Sequence, residues 1–241
     1  MFFIGFNNRK VCSINVNYNL DELINRIHEK SFFIRNENNN EFRNKIDIIQ
    51  NYNGDNFNFY YCRFGFEMET ERIVPDIRQE GIVDQPQNIK IAYALPFWIA
   101  NNGFILFKSL GSTYNRKGKA LLSNYLFDDE EAIVENTFDI DAITTAVEEG
   151  ILNNMWTSSF SGRHNNVHGG ILNGDNVNED VMFNLTAEAE KTSVGILYEI
   201  LDEEIKLRFY ETGSVQLLTV DLEMDNPTMF NILMDFQEYI I

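Results

Sequence analysis

The chain is short of cysteine, proline, histidine and long apolar runs, and each shortage removes a class of protein. Two cysteines among 241 residues cannot make a disulfide framework. Cys12 and Cys62 each stand in an apolar, strand-like run, where free cysteine serves as a small buried hydrophobe. Four prolines against twenty Phe and ten Tyr argue against a disordered chain and for a packed, strand-rich body. No apolar stretch reaches the roughly 18 residues needed to cross a bilayer. The opening Met-Phe-Phe-Ile-Gly-Phe carries neither a basic region nor a small-residue cleavage site, so a cytoplasmic location without membrane association is expected. Basic residues are scarce as well. Against 37 Asp and Glu stand 19 Lys and Arg, a formal net charge of −18. A field of that sign repels phosphate backbones and anionic lipid, leaving nucleic acid only a local basic patch to bind.

What is present is ordinary for a globular protein: 44% hydrophobic and 23% charged residues with a mean hydropathy of −0.27. The pattern reads as α+β, with largely antiparallel sheets and flanking helices. Residues 1–80 form an N-terminal subdomain in this reading and 88–241 a second domain. The charged, proline-bearing stretch 76–87 links them. Asn19 is placed to cap a helix over 20–29, with Glu22 at capping-box spacing. A polar loop is expected at 36–43 and a strand at 57–66. Two apolar runs, 89–100 and 104–110, flank the turn sequence Asn101-Asn102-Gly103. Helical spacing recurs over 114–127, and a further helix opens at Asp139 or Asp141 and runs toward Trp156. Residues 157–180 read as a long polar, Gly-rich loop. The C-terminal third reads as a four-stranded meander over 181–222, with strands at 181–187, 193–201, 205–210 and 215–222. A terminal helix over 227–239 lays Phe230, Ile232, Leu233 and Phe236 across it.

Three constellations could carry chemistry. The loop 158–170 gathers Arg163, His164 and His168 with serines and glycines, and long loops of this kind are often functional. His164 and His168 stand four apart, as in His-Glu-x-x-His zinc sites, but Asn165 replaces the required Glu and glycines flank the segment. No metal or other cofactor is therefore expected. Asp139, Asp141, Asp175 and Asp180 are the nearest acids able to orient an imidazole. The second constellation, Lys108, Arg116, Lys117 and Lys119, is the densest basic cluster and could contact an anion or nucleic acid. Its glycines miss phosphate-loop spacing, and Ala120 follows Lys119 where a Ser or Thr is needed. A solvated helix start paired with the acids of 128–131 explains it more simply. Third, Pro75-Asp76 with Asn88-Ile89-Lys90 approaches a nuclease carboxylate pattern but lacks its second acid.

With every catalytic motif broken, the leading expectation is a non-catalytic, interacting component of a larger assembly, bound to a protein partner or to further copies of itself. The alternatives are a hydrolase or metal-dependent nuclease acting through Arg163, His164 and His168, and local nucleic-acid binding through the basic cluster.

Overall fold

The computed structural model describes residues 7–29, 32–37, 40–53, 58–78, 81–162, 168–200, 203–218 and 226–241. In chain order its elements are β1 (Asn7–Ile14), α1 (Leu20–Glu29), β2 (Phe33–Glu37), β3 (Asn40–Asn53), β4 (Asn58–Arg78), β5 (Gly81–Ala100), β6 (Phe104–Phe107), α2 (Thr113–Phe127), β7 (Ile133–Glu135), α3 (Ile140–Glu148), β8 (Met155–Ser161), β9 (Gly169–Asn173), α4 (Val181–Asn184), β10 (Glu190–Ile200), β11 (Glu203–Tyr210), β12 (Ser214–Leu218) and α5 (Asn226–Asp235). Strand predominates over helix, so the expected α+β class holds only in outline. The chain divides into two compact units: residues 15–103 with 110–133, and residues 1–14 with 104–109 and 134–241.

In the first unit β2, β3, β4 and β5 pair antiparallel in that order. Alternation along β4 buries Cys62, Phe64, Phe66 and Met68 on one face. Helix α2 covers that face: Tyr114 stacks on Tyr93 at 4.5 Å and Tyr125 on Phe33 at 3.9 Å. Gly118 permits the approach, since a Cβ there would stand 2.7 Å from the Phe66 ring. Helix α1 begins as its capping box implies, with the Asn19 side chain accepting from the Asp21 and Glu22 backbone N–H groups at 3.0 and 3.3 Å. Of the polar stretch expected to be a loop at 36–43, residues 36–37 belong instead to β2 and 40–43 to β3, with Asn36↔Glu41 and Glu37↔Asn40 in register. Strand pairing satisfies the backbone there while the polar side chains stay wet.

Of the stretch 76–87, expected to link two subdomains, residues 76–78 lie in β4 and 81–87 in β5. These run in register from Phe59↔Ala100 to Arg78↔Gly81.

In the second unit the strand order is β6, β1, β12, β11, β10, β8, β9. Ile205, Leu207 and Phe209 of β11 are buried, whereas Lys206, Arg208 and Tyr210 face the wetter side. Helix α5 packs on the apolar face through Phe236, whose ring lies 4.6 Å from Phe209. Gly213 turns β11 into β12 at φ 73, and a Cβ there would fall 1.8 Å from the Asn136 carbonyl oxygen.

The C-terminal meander has three strands, β10 to β12, not four. Residues 181–187 form the short helix α4 and a turn, because Asp180 caps the segment by accepting from the Met182 N–H at 2.7 Å. Only Phe183 of its apolar run is buried, and Val181, Met182 and Leu185 are exposed. The expected loop 157–180 also contains structure, since β8 and β9 pair from Thr157↔Asn173 to Ser161↔Gly169. Helix α3 stops well short of Trp156, at Gly150 with φ 73. Residue 201 of the second expected meander strand and residues 219–222 of the fourth lie outside the described residues.

Candidate interaction surface

The feature of the first unit that core packing does not explain is the distal half of the β4–β5 ribbon. Strand β3 has its last registered pair with β4 at Asn44↔Phe66. Beyond it, within this unit and among the described residues, 71–78 and 81–88 pair only with each other. At about 3.3 Å per residue these eight pairs make an arm roughly 25 Å long.

Side-chain alternation sorts the arm into two faces. Cross-strand partners share a face, so Ile73, Pro75 and Ile77 of β4 stand with Pro86, Asp84 and Ile82 of β5. Ile73 is 71% exposed, Ile77 81% and Ile82 70%. An apolar stripe interrupted by one carboxylate is thus presented to water on a two-stranded ribbon, an arrangement that marks interaction sites on folded proteins.

The prolines decide how this arm can be used. A proline survives inside a continuous ladder only where its nitrogen points away from the paired strand. Pro75 pairs with Asp84, Pro86 with Ile73 and Pro96 with Arg63, all at one parity of an unbroken register. Pro75 therefore removes a donor from the outer edge of β4, and Pro86 one from the outer edge of β5. Both edges are blunted against an added strand, which leaves the faces for docking.

The base of the arm is pinned. The Arg43 N–H donates to Glu67 Oε2 at 2.8 Å and Asn40 Nδ2 to Glu69 Oε2 at 3.3 Å. The hydroxyls of Thr70 and Tyr114 meet at 3.5 Å. That bond, followed by one with Tyr93, holds the Tyr114 phenol below its ordinary value. Beside the base lies a cleft of about 260 Å³ lined by Glu37, Phe42, Glu69, Glu71, Asn88 and Lys117. Of its three carboxylates, Glu37 is already paired with Arg35 at 2.8 Å and with Lys117 at 3.8 Å. The Phe42 ring already attracts cations from its own chain, with Arg35 and Lys90 at 5.0 and 5.2 Å from its centroid.

The residues singled out from sequence fall elsewhere. Arg163 and His164 lie outside the described residues. His168 is exposed at the start of β9, where its carbonyl accepts from the Gly162 N–H at 3.2 Å. Ser158 and Ser159 are buried in β8, and Ser159 Oγ accepts from Arg208 at 2.6 Å. Two of the acids considered as orienting groups are engaged in capping: Asp139 accepts from the Ala142 N–H at 2.9 Å, and Asp180 opens α4. Among the described residues no three His, Cys, Asp or Glu side chains gather to hold a metal. No described helix is long and apolar enough to cross a membrane.

Of the basic cluster, Lys108 belongs to the second unit and Arg116, Lys117 and Lys119 to the first. Arg116 is exposed, and Lys119 donates to the Ile133 carbonyl at 3.3 Å. Lys117 pairs with Glu37 at 3.8 Å rather than with the acids of 128–131.

Sequence reasoning passed over the arm because charge and proline there resemble a linker. The usable signal was the alternation of Ile73, Pro75 and Ile77. No family model matches this chain, and no curated protein matches it at a significant level.

Proposed function

We propose that this protein is a non-catalytic docking component that presents the β4–β5 arm to a protein partner. The observation that carries this reading is the stripe of Ile73, Ile77 and Ile82, exposed on a two-stranded ribbon paired in unbroken register. Burying one Ile side chain against a partner stabilises the complex by roughly 1.5–3 kcal/mol before ordering costs. The test replaces Ile77 with a photo-cross-linking phenylalanine analogue and irradiates native lysate, with the same analogue at exposed Glu238 as control. A defined cross-linked species at position 77 and none at 238 is the expected result. Equal, diffuse cross-linking at both positions would contradict the reading.

A further inference from the structure

The occupant of the arm follows from the charge and area around the stripe, and the inference rests on the docking role proposed above. We propose that the partner is a protein presenting an apolar segment followed, about four residues further along an extended strand, by a lysine or arginine that pairs with Glu69 and Glu71 at the base of the arm.

Area sets the first constraint. One face of the arm measures roughly 25 by 10 Å, about 250 Å², whereas a standard interface covers about 800 Å² per partner. The stripe alone is too small, so the partner must extend onto neighbouring surface. Continuity gives the direction: Glu71 and Glu69 follow Ile73 and Ile77 by the same alternation, and both line the cleft at the arm's base. From Ile73 back to Glu69 is four residues, roughly 13 Å of extended chain.

Charge gives the chemistry. Glu37 is already held by Arg35 at 2.8 Å and by Lys117 at 3.8 Å, and the Phe42 ring is buried with Arg35 and Lys90 against it, which leaves Glu69 and Glu71 as the cleft carboxylates with no ion pair among the described residues. An incoming ammonium or guanidinium group would complement that pair. A second copy of this chain fits poorly. Face-to-face arms would bring acidic rows together between chains that each carry −18.

The probes are short fluorescent peptides with an alternating Ile/Thr block followed four residues later by two lysines, by two glutamates in the same places, or by none. Each is titrated against the full chain by fluorescence anisotropy. The lysine peptide should bind, its affinity falling several-fold as salt rises, and the glutamate peptide should not. Ile77→Asp with Ile82→Asp should abolish binding. Glu69→Lys with Glu71→Lys should reverse the preference toward the glutamate peptide, circular dichroism confirming an unchanged fold. Two results would overturn the inference: equal binding of lysine and glutamate peptides, or an unchanged preference in the Glu69/Glu71 variant. Either leaves the docking role standing so long as the isoleucine variant, with the cross-linking analogue at Ile73, still loses its cross-linked partner, and that loss is read separately. Concentration-dependent dimers in sedimentation, dispersed by Ile77→Asp, would make a second copy the occupant and overturn it too.

Discussion

Cys62 pairs with Ile48 of β3 and Phe97 of β5, and burial pushes its thiol from an ordinary value of 9.0 up to about 12. The folded protein therefore holds this proton over a pH range in which the unfolded chain releases it. The associated stability is complete below pH 9 and is lost as pH rises from 9 toward 12. Tyr198 acts in the same sense at higher pH, since burial first and the Asp235 carboxylate second raise its phenol. Chemical denaturation at a series of pH values should show stability falling by a few kcal/mol across the Cys62 window. Cys62→Val should flatten that part of the slope and leave the tyrosine part. An identical slope in the variant would mean the thiol is hydrated. At this scale the sequence was informative: apolar neighbours of Cys62 and the capping spacing of Asn19 are local signals, and local chemistry decides both.

At the scale of elements, α5 is held by Phe236, which is 1% exposed and packs on Phe209, Tyr198 and Tyr239 at 4.6, 5.6 and 6.2 Å. Tyr198 also donates to the Asp235 carboxylate. Removing a buried Phe side chain costs about 3–5 kcal/mol, and an unpaired charge in its place costs more. Phe236→Asp should therefore lower the melting temperature by roughly 10 °C or more, whereas exposed Gln237→Asp should leave it within about 2 °C. Equal melting of the two variants would mean that α5 is not docked as described. The strands β10 to β12 were legible because their alternation has one dry and one wet face. The run 181–187 was not, because its apolar residues carry no period and the Asp180 cap decides the outcome. The hairpins β2–β3 and β8–β9 were obscured in the same way. Their polar and small side chains leave little hydrophobic pattern, while their backbones are satisfied by pairing that sequence spacing alone does not reveal.

For the whole molecule, net charge limits the choice of partner more than any single site does. A chain at −18 repels copies of itself, and its field steers basic surfaces toward it. The stripe of Ile73, Pro75, Ile77, Ile82 and Pro86, interrupted only by Asp84, is a part on which a partner can close without desolvating many carboxylates. Its prolines, which resembled a linker, instead close both edges to unwanted strand addition. This arrangement predicts that the arm is dispensable for folding and essential for docking. The direct measurement is the double variant Ile77→Asp with Ile82→Asp, compared with the parent for thermal melting and for partner cross-linking in native lysate, both proteins carrying the photo-cross-linking analogue at exposed Ile73. The account predicts a melting temperature within about 2 °C of the parent together with loss of the cross-linked species. A variant that melts many degrees lower would show the stripe packed within its own fold, and one that melts normally and still captures the same species would place docking elsewhere; either result contradicts the account.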